Sequence, residues 1–151
     1  MSTSYLLFLL GERRFGVKMV GAKEIFAWRK PRPVPLAHSY VEGLIDYRGG
    51  IYPIFNLEQR IGLKRQGAIG FTAQEQIATA PYKGKSIILF EKDAARFGII
   101  VDSVLKMLSI EEPKEALKKV LDLDPRYVRG VLKTEEHDVV LLDIERMINA
   151  D

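Results

Sequence analysis

The chain has no cysteine and only two histidines in 151 residues. The first absence removes a disulfide framework, a thiol nucleophile and any cysteine zinc site, and it suits a reducing compartment. The second leaves little for a metal centre or an imidazole proton relay. His38 and His137 both fall in expected loops, with no carboxylate–histidine spacing around them. No serine stands in a G-x-S-x-G frame. No strand, glycine-rich turn and helix carries a following Lys-Ser/Thr, so Gly49-Gly50 reads as turn chemistry and not as a phosphate loop. Glu111 and Glu112 are adjacent and read as solvated charge. Asp102, following Gly98-Ile99-Ile100-Val101, reads as a strand-end carboxylate bonded to turn backbone. Long apolar runs are missing as well. Residues 5–10 are apolar, but a membrane helix needs ~20 such residues. No basic segment precedes them and no small-residue cleavage site follows, so a buried strand is expected there and not a signal peptide. No catalytic residue, metal ligand or cofactor is expected, and the chain is expected to be cytoplasmic.

What is present is a pattern written twice. Ser4-Tyr5-Leu6-Leu7-Phe8 lines up with Ser86-Ile87-Ile88-Leu89-Phe90, and at the same offset Arg14-Phe15-Gly16-Val17 lines up with Arg96-Phe97-Gly98-Ile99. Further on, Tyr40-Val41-Glu42-Gly43-Leu44-Ile45 echoes Tyr127-Val128-Arg129-Gly130-Val131-Leu132. At that second offset Ile54-Phe55-Asn56-Leu57-Glu58 echoes Leu141-Leu142-Asp143-Ile144-Glu145, and Ile61 falls on Ile148. Short apolar strands resemble one another, but the shared Gly, Arg and Tyr positions are not generic strand residues. The period is longer than the roughly 20–50 residues of a solenoid repeat. The pattern is that of one small β unit duplicated within a chain. The length suits one domain, with subdomains at about 1–83 and 84–151 and room for strand exchange between them.

Along the chain, residues 5–10 and 14–18 flank Gly11-Glu12-Arg13 as a hairpin. Residues 20–26 are a brief apolar-spaced stretch. Pro31, Pro33 and Pro35 then force an extended connector, because each ring removes a donor and restricts its predecessor. Residues 41–47 and 51–57 form a second hairpin around Arg48-Gly49-Gly50. Pro53 makes the return strand an edge or a bulged strand. Residues 57–61 suit a short helix ending at Gly62, and 64–85 suit a linker. The second copy repeats the series. It has hairpin strands at 86–91 and 96–101, a strand at 104–110, a helix or loop over 111–120, and strands at 127–132 and 139–142. A terminal helix follows, with Asp143 as its N-cap. Many short strands with turns between them predict small barrels.

Two basic clusters, Arg29-Lys30 with Arg32 beside Trp28, and Lys64-Arg65, raise a nucleic-acid reading in which arginines meet phosphates and Trp28 stacks on a base. Small barrels do bind nucleic acid. Against it, the net charge is only +3, and no aromatic ladder accompanies the clusters.

The segment from Tyr40 through Leu57, reading Tyr-Val-Glu-Gly-Leu-Ile-Asp-Tyr-Arg-Gly-Gly-Ile-Tyr-Pro-Ile-Phe-Asn-Leu, resembles the signature of the CheW chemotaxis coupling-protein family. That signature is a strand ending in Gly, an Asn-Leu-Arg-Gly turn and a return strand reading apolar-Pro-apolar-apolar-Asp-Leu. Gly98-Ile99-Ile100-Val101-Asp102-Ser103-Val104 is similar to the family's second signature. Tyr127-Val128-Arg129-Gly130 and Leu142-Asp143-Ile144-Glu145 also sit where the family has them. The resemblance runs from Tyr5 to Ile148. This chain departs from the pattern at Asp46-Tyr47 and at Asn56, and residues 66–81 are longer than usual.

The resemblance implies an all-β fold of two intertwined five-stranded SH3-like barrels with short helices. It implies a non-catalytic adaptor joining the cytoplasmic tips of methyl-accepting chemoreceptors to the regulatory domain of a CheA-type histidine kinase. The adaptor would bind no nucleic acid, insert into no membrane, and meet membrane receptor arrays only through its partners. A paralogue serving a pilus-type pathway, or a nucleic-acid-binding double barrel, is the alternative. A kinase regulatory fragment would share the fold, but the chain begins with Met1 and carries no dimerisation or ATP-binding segment. Carried over by position, the kinase-facing residues are Ala22, Glu24 and Gly43, the glycine admitting a partner backbone. The receptor-facing residues are Arg48 at the hairpin tip, with Ile87 and Ile99 lining an inter-barrel groove. Without the resemblance, Ile87 and Ile99 read as core, Glu24 as a solvated charge and Gly43 as a strand kink.

Overall fold

A computed structural model describes residues 2–61, 84–111, 123, 125–133 and 138–149. The first half contains β1 (Ser2–Leu10), β2 (Arg13–Lys18), β3 (Ala22–Ala27), β4 (Val41–Tyr47), β5 (Gly50–Asn56) and α1 (Leu57–Ile61). The second half contains β6 (Ser86–Lys92), β7 (Ala95–Val101), β8 (Ser103–Glu111), a single 3-10 turn (Pro125–Tyr127), β9 (Val128–Lys133), β10 (Asp138–Leu142) and α2 (Ile144–Asn149). Residues 64–83 of the expected linker over 64–85, residues 112–120 of the expected helix or loop over 111–120, and His137 lie outside the described residues, while Glu111 ends β8.

The strands form two five-stranded sheets, β8-β1-β2-β10-β9 and β3-β6-β7-β5-β4. The hairpin of each half is therefore inserted into a sheet whose other strands come from the opposite half. The duplication holds at the level of single contacts. Leu7 pairs with Gly16, and Leu89 with Gly98. The parallel ladders β10–β2 and β5–β7 place Leu141 beside Gly16 and Ile54 beside Gly98. Register slips at the same place in the two outer hairpins, at Glu42 in one and Arg129 in the other. The Asn56 amide donates to the Tyr40 carbonyl at 2.7 Å, and the Asp143 amide to the Tyr127 carbonyl at 2.8 Å.

This topology explains the apolar runs. A half-buried strand alternates, but the inserted hairpins are buried on both faces, so their strands read as nearly continuous hydrophobes. On one face Leu6, Phe8, Phe15, Ile88, Phe90, Phe97 and Ile99 join a common core between the sheets. On the other, Tyr5 and Leu7 pack with Val139 and Leu141 inside the first sheet. Ile87, Leu89 and Ile100 pack with Ile45, Tyr52 and Ile54 inside the second. Each sheet thus curls round its own small cluster and shares the large one. In the second sheet the edges β3 and β4 share no ladder, yet Phe26 stacks on Tyr47 at 6.0 Å.

The helix starts follow the sequence. Asn56 Oδ1 accepts from the Gln59 amide at 3.1 Å, and Asp143 Oδ1 from the Arg146 amide at 3.2 Å, so equivalent residues cap α1 and α2. Pro53 departs from expectation. β5 is not an edge, and the bulge lies on its neighbour β4. Proline is tolerated because the β5–β7 ladder begins only at Ile54, leaving no ladder bond for the missing N–H to make. Asp102 does bond turn backbone. The Gly11 amide donates to its carboxylate, and Lys85 Nζ pairs with it at 3.0 Å.

Candidate docking surfaces

The β4–β5 turn needs two residues, Arg48 and Gly49, with φ of 46° and 79°. Both are left-handed, which is the turn geometry that matches strand twist in a tight hairpin. Gly49 takes this conformation freely. Arg48 does not, and it projects from an exposed tip. Its guanidinium lies 5.4 Å from the Tyr47 ring centroid. Asp46 is not its partner. That carboxylate pairs with Arg32 at 3.2 Å, and Arg29 donates to the Asp46 carbonyl at 3.1 Å. The basic cluster at 29–32 is thus folded back onto β4.

Glu24 stands on the edge strand β3, half-buried, and Tyr47 Oη donates to its Oε2 at 2.5 Å. This bond, a weaker one from the Ile25 amide and the charge of Arg48 hold the Glu24 carboxyl below its ordinary range, against a smaller effect of burial. The same bond raises the Tyr47 phenol. Tyr52, edge-on to Tyr47, donates to Glu91 Oε2 at 3.1 Å, and Arg96 reaches that oxygen at 3.3 Å. Both bonds hold Glu91 low, while burial, and then the Glu91 bond, raise Tyr52. Lys23, Arg48 and Arg96 rim a polar cavity of about 220 Å³ beside these residues.

Ala22 and Glu24 are accessible on β3 and Arg48 at the tip. The structure brings Glu24 and Arg48 to one end of the second sheet, on either side of Tyr47. The other three predicted site residues are placed differently. Gly43 has a φ of 147°, and a Cβ there would stand 2.3 Å from the Arg32 carbonyl oxygen. The backbone it admits is the chain's own proline connector, bridged to β4 by reciprocal Arg32–Leu44 bonds of 2.8 Å. Ile87 and Ile99 are 0 % and 1 % exposed. They fill the inner cluster and the shared core, so neither lines an open groove. A cleft between the sheets does exist, floored by Phe90, Phe97, Leu142 and Ile144, with Val20 63 % exposed at its lip. Its volume of about 80 Å³ is far below the roughly 300–1,000 Å³ of small-molecule sites and suits a single side chain. Lys92 pairs with Glu145 at its rim, which raises the Lys92 ammonium and lowers the Glu145 carboxyl.

Tyr47 and Val20 are the residues that reading the sequence missed. The departure at Asp46-Tyr47 was the available signal for the first. Nothing local marks Val20 as exposed. Among the described residues no group of acids and histidines could hold a metal, and no helix is long and apolar enough to cross a membrane.

A duplicated chain whose hairpins are exchanged between two curled five-stranded sheets defines the class: an all-β double-barrel domain with charged features at one sheet end. The CheW-like domain profile matches residues 4–151, and the chain belongs to that family. It is 30% identical over 145 residues to the chemotaxis protein CheW of Treponema pallidum, covering 95% of this chain and 80% of that protein. It is 34% identical over 116 residues to the chemotaxis protein CheW of Thermotoga maritima, covering 77% of this chain and 68% of that protein. The crystal structure of the scaffolding protein TtCheW from Thermoanaerobacter tengcongensis superposes with a TM-score of 0.78 at 24% identity. That match covers 100% of this chain and 95% of the other, and it concerns the fold.

Proposed function

We propose that this chain is a non-catalytic adaptor in chemotaxis signal transduction, coupling the cytoplasmic tips of chemoreceptors to the regulatory domain of a CheA-type histidine kinase. The observation that carries the reading is family membership across nearly the whole chain, together with relatives named as chemotaxis proteins. An adaptor works by presenting oriented surface groups and not by perturbing a buried reactive one. Glu24 and Arg48 fit that requirement, since each is accessible and each is fixed by a neighbour. In this reading Ala22 and Glu24 meet the kinase domain and Arg48 meets the receptor. Gly43 supports β4 from within. Ile87 and Ile99 support the receptor side through packing, with Val20 and the cleft behind it offering the apolar contact. The adaptor acts in the cytoplasm, held at membrane receptor arrays by its partners, and it binds no nucleic acid.

Reconstitution tests the proposal. Receptor-bearing vesicles and the kinase are mixed with and without the chain, and kinase autophosphorylation is followed. Stimulation that requires all three components is expected. Kinase activity indifferent to the chain, at concentrations where it is folded, would reject the adaptor role.

A further inference from the structure

The β3 and β4 edges of the second sheet share no ladder, and Tyr47 makes two side-chain contacts across them beside the Arg29 bond to the Asp46 carbonyl. The Tyr47 ring stacks on Phe26 of β3 at 6.0 Å and 19° between planes, and its hydroxyl donates to Glu24 of the same strand. It also carries the Arg48 guanidinium at 5.4 Å and meets Tyr52 edge-on at 6.4 Å. Tyr47 is therefore in contact with both Glu24 and Arg48. Without its hydroxyl, Glu24 would keep only the longer bond from the Ile25 amide at 3.3 Å, on an edge strand with no ladder on its outer side. With it, both carboxylate oxygens hold a bond, and the lone pairs that remain point in a set direction.

We infer that Tyr47 is a positioning residue: its hydroxyl latches the open seam of the second sheet, orients Glu24 for a cationic group of the kinase regulatory domain and ties that contact to the Arg48 tip. The inference deepens the proposed function and rests on it for the identity of the partner. The latch itself is a property of the free chain. Ordering Glu24 beforehand removes part of the cost of ordering it on binding. Because the seam also anchors the base of the hairpin, a partner on Arg48 and a partner on Glu24 act on one packed unit, and any coupling between them is reciprocal.

Tyr47→Phe keeps the ring and removes only the hydroxyl. Three variants, Tyr47→Phe, Glu24→Gln and the pair together, are examined by two methods. Carboxyl carbon NMR follows the Glu24 titration in wild type and Tyr47→Phe, and calorimetry measures affinity for the kinase regulatory domain. The expected result is that Tyr47→Phe melts like wild type, moves the Glu24 titration up toward the ordinary carboxylate value and weakens regulatory-domain binding roughly three- to tenfold. The double variant should lose no more than the weaker single variant, because residues that act through one bond are not additive. An unmoved Glu24 titration in Tyr47→Phe would overturn the latch whatever the partner does. Additive losses, or wild-type affinity in Tyr47→Phe beside a clear loss in Glu24→Gln, would overturn the positioning role. A wild-type chain that does not bind the regulatory domain would instead sink the adaptor reading, and the titration would then decide the latch alone.

Discussion

Ile54 occupies the space that a side chain at Gly98 would need. A Cβ on Gly98 would stand 2.6 Å from Ile54 Cδ1, 2.9 Å from Leu89 Cδ2 and 3.3 Å from the Ile88 carbonyl. The first half repeats the arrangement, with Gly16 against Leu7 and Leu141. The two glycines let the parallel ladders close at the centre of each sheet. Overpacking of this kind costs about 1–3 kcal/mol. Gly98→Ala should therefore lower the melting temperature by several degrees while partner affinities per folded molecule stay constant. A melt identical to wild type would mean that Ile54 can move aside at no cost.

Gly43→Ala should be more damaging than Gly98→Ala. The obstacle at Gly43 is a backbone carbonyl, which cannot rotate away as a methyl can, and the φ of 147° disfavours any side chain. Chemical denaturation ranks the two variants. The reverse order would show that the proline connector is loosely held.

Neither half should fold alone. A fragment ending near Ile69 would keep β1 and β2 without β8, β9 and β10, and β3, β4 and β5 without β6 and β7. Each half is also near the size at which a single core is marginal. An NMR spectrum of that fragment should be collapsed or absent. Dispersed amide peaks with a cooperative melt would contradict the shared core.

Glu24→Lys should weaken binding to the kinase regulatory domain at least roughly tenfold, since a reversed charge sets like against like at a contact. Its circular dichroism should be unchanged, and its melting temperature should fall only slightly with the loss of the Tyr47 bond. Unchanged affinity by calorimetry would remove Glu24 from the interface.

Arg48→Ala should keep the fold and the kinase contact and lose recruitment to receptor arrays. A guanidinium offers a fixed fork of donors to carboxylates or helix-end carbonyls, and Arg48 holds none of the core together. A variant that assembles active receptor–kinase complexes at normal concentration would rule out the anchor.

Acid should destabilise the fold in a defined direction. Glu24, Glu91 and Glu145 are held below their ordinary value of 4.5 by Tyr47, by Tyr52 and Arg96, and by Lys92. Such groups contribute stability above the unfolded value, and that stability is lost as pH falls through the lowered folded values. The groups are near solvent, so each contribution is small and screened by salt. Denaturation midpoints should fall below about pH 4.5, and Glu91→Gln should make that fall shallower. Equal slopes in the two proteins would discount the Tyr52–Glu91 bond.

Hairpins, helix caps and the duplication were legible because they are local. A Gly at a turn, an Asn or Asp before a helix and paired apolar runs act on near neighbours in sequence. Which strands each hairpin joins was not legible locally, since exchanging hairpins between similar halves leaves every local pattern intact. The same limit governs the site. Glu24 and Arg48 could be named from the motif they occupy. Nothing near Tyr47 in sequence reveals that its hydroxyl reaches Glu24, and nothing near Gly43 reveals the Arg32 carbonyl above it. Ile87 and Ile99, both buried, show the converse limit. An apolar residue on a strand buried on both faces looks, in sequence, the same as one lining a groove.

The pairing of Ser2 with Glu111 has a consequence for how the protein is made. On the ribosome, β1 and β2 are finished long before β8 and β10 exist to flank them. That apolar hairpin must wait with both faces bare. Long-range pairing of this sort folds slowly and leaves sticky intermediates. The nascent chain is thus at its most vulnerable through the middle of its synthesis, when holding factors have the most to shield, and that exposure ends only when the closing strand emerges.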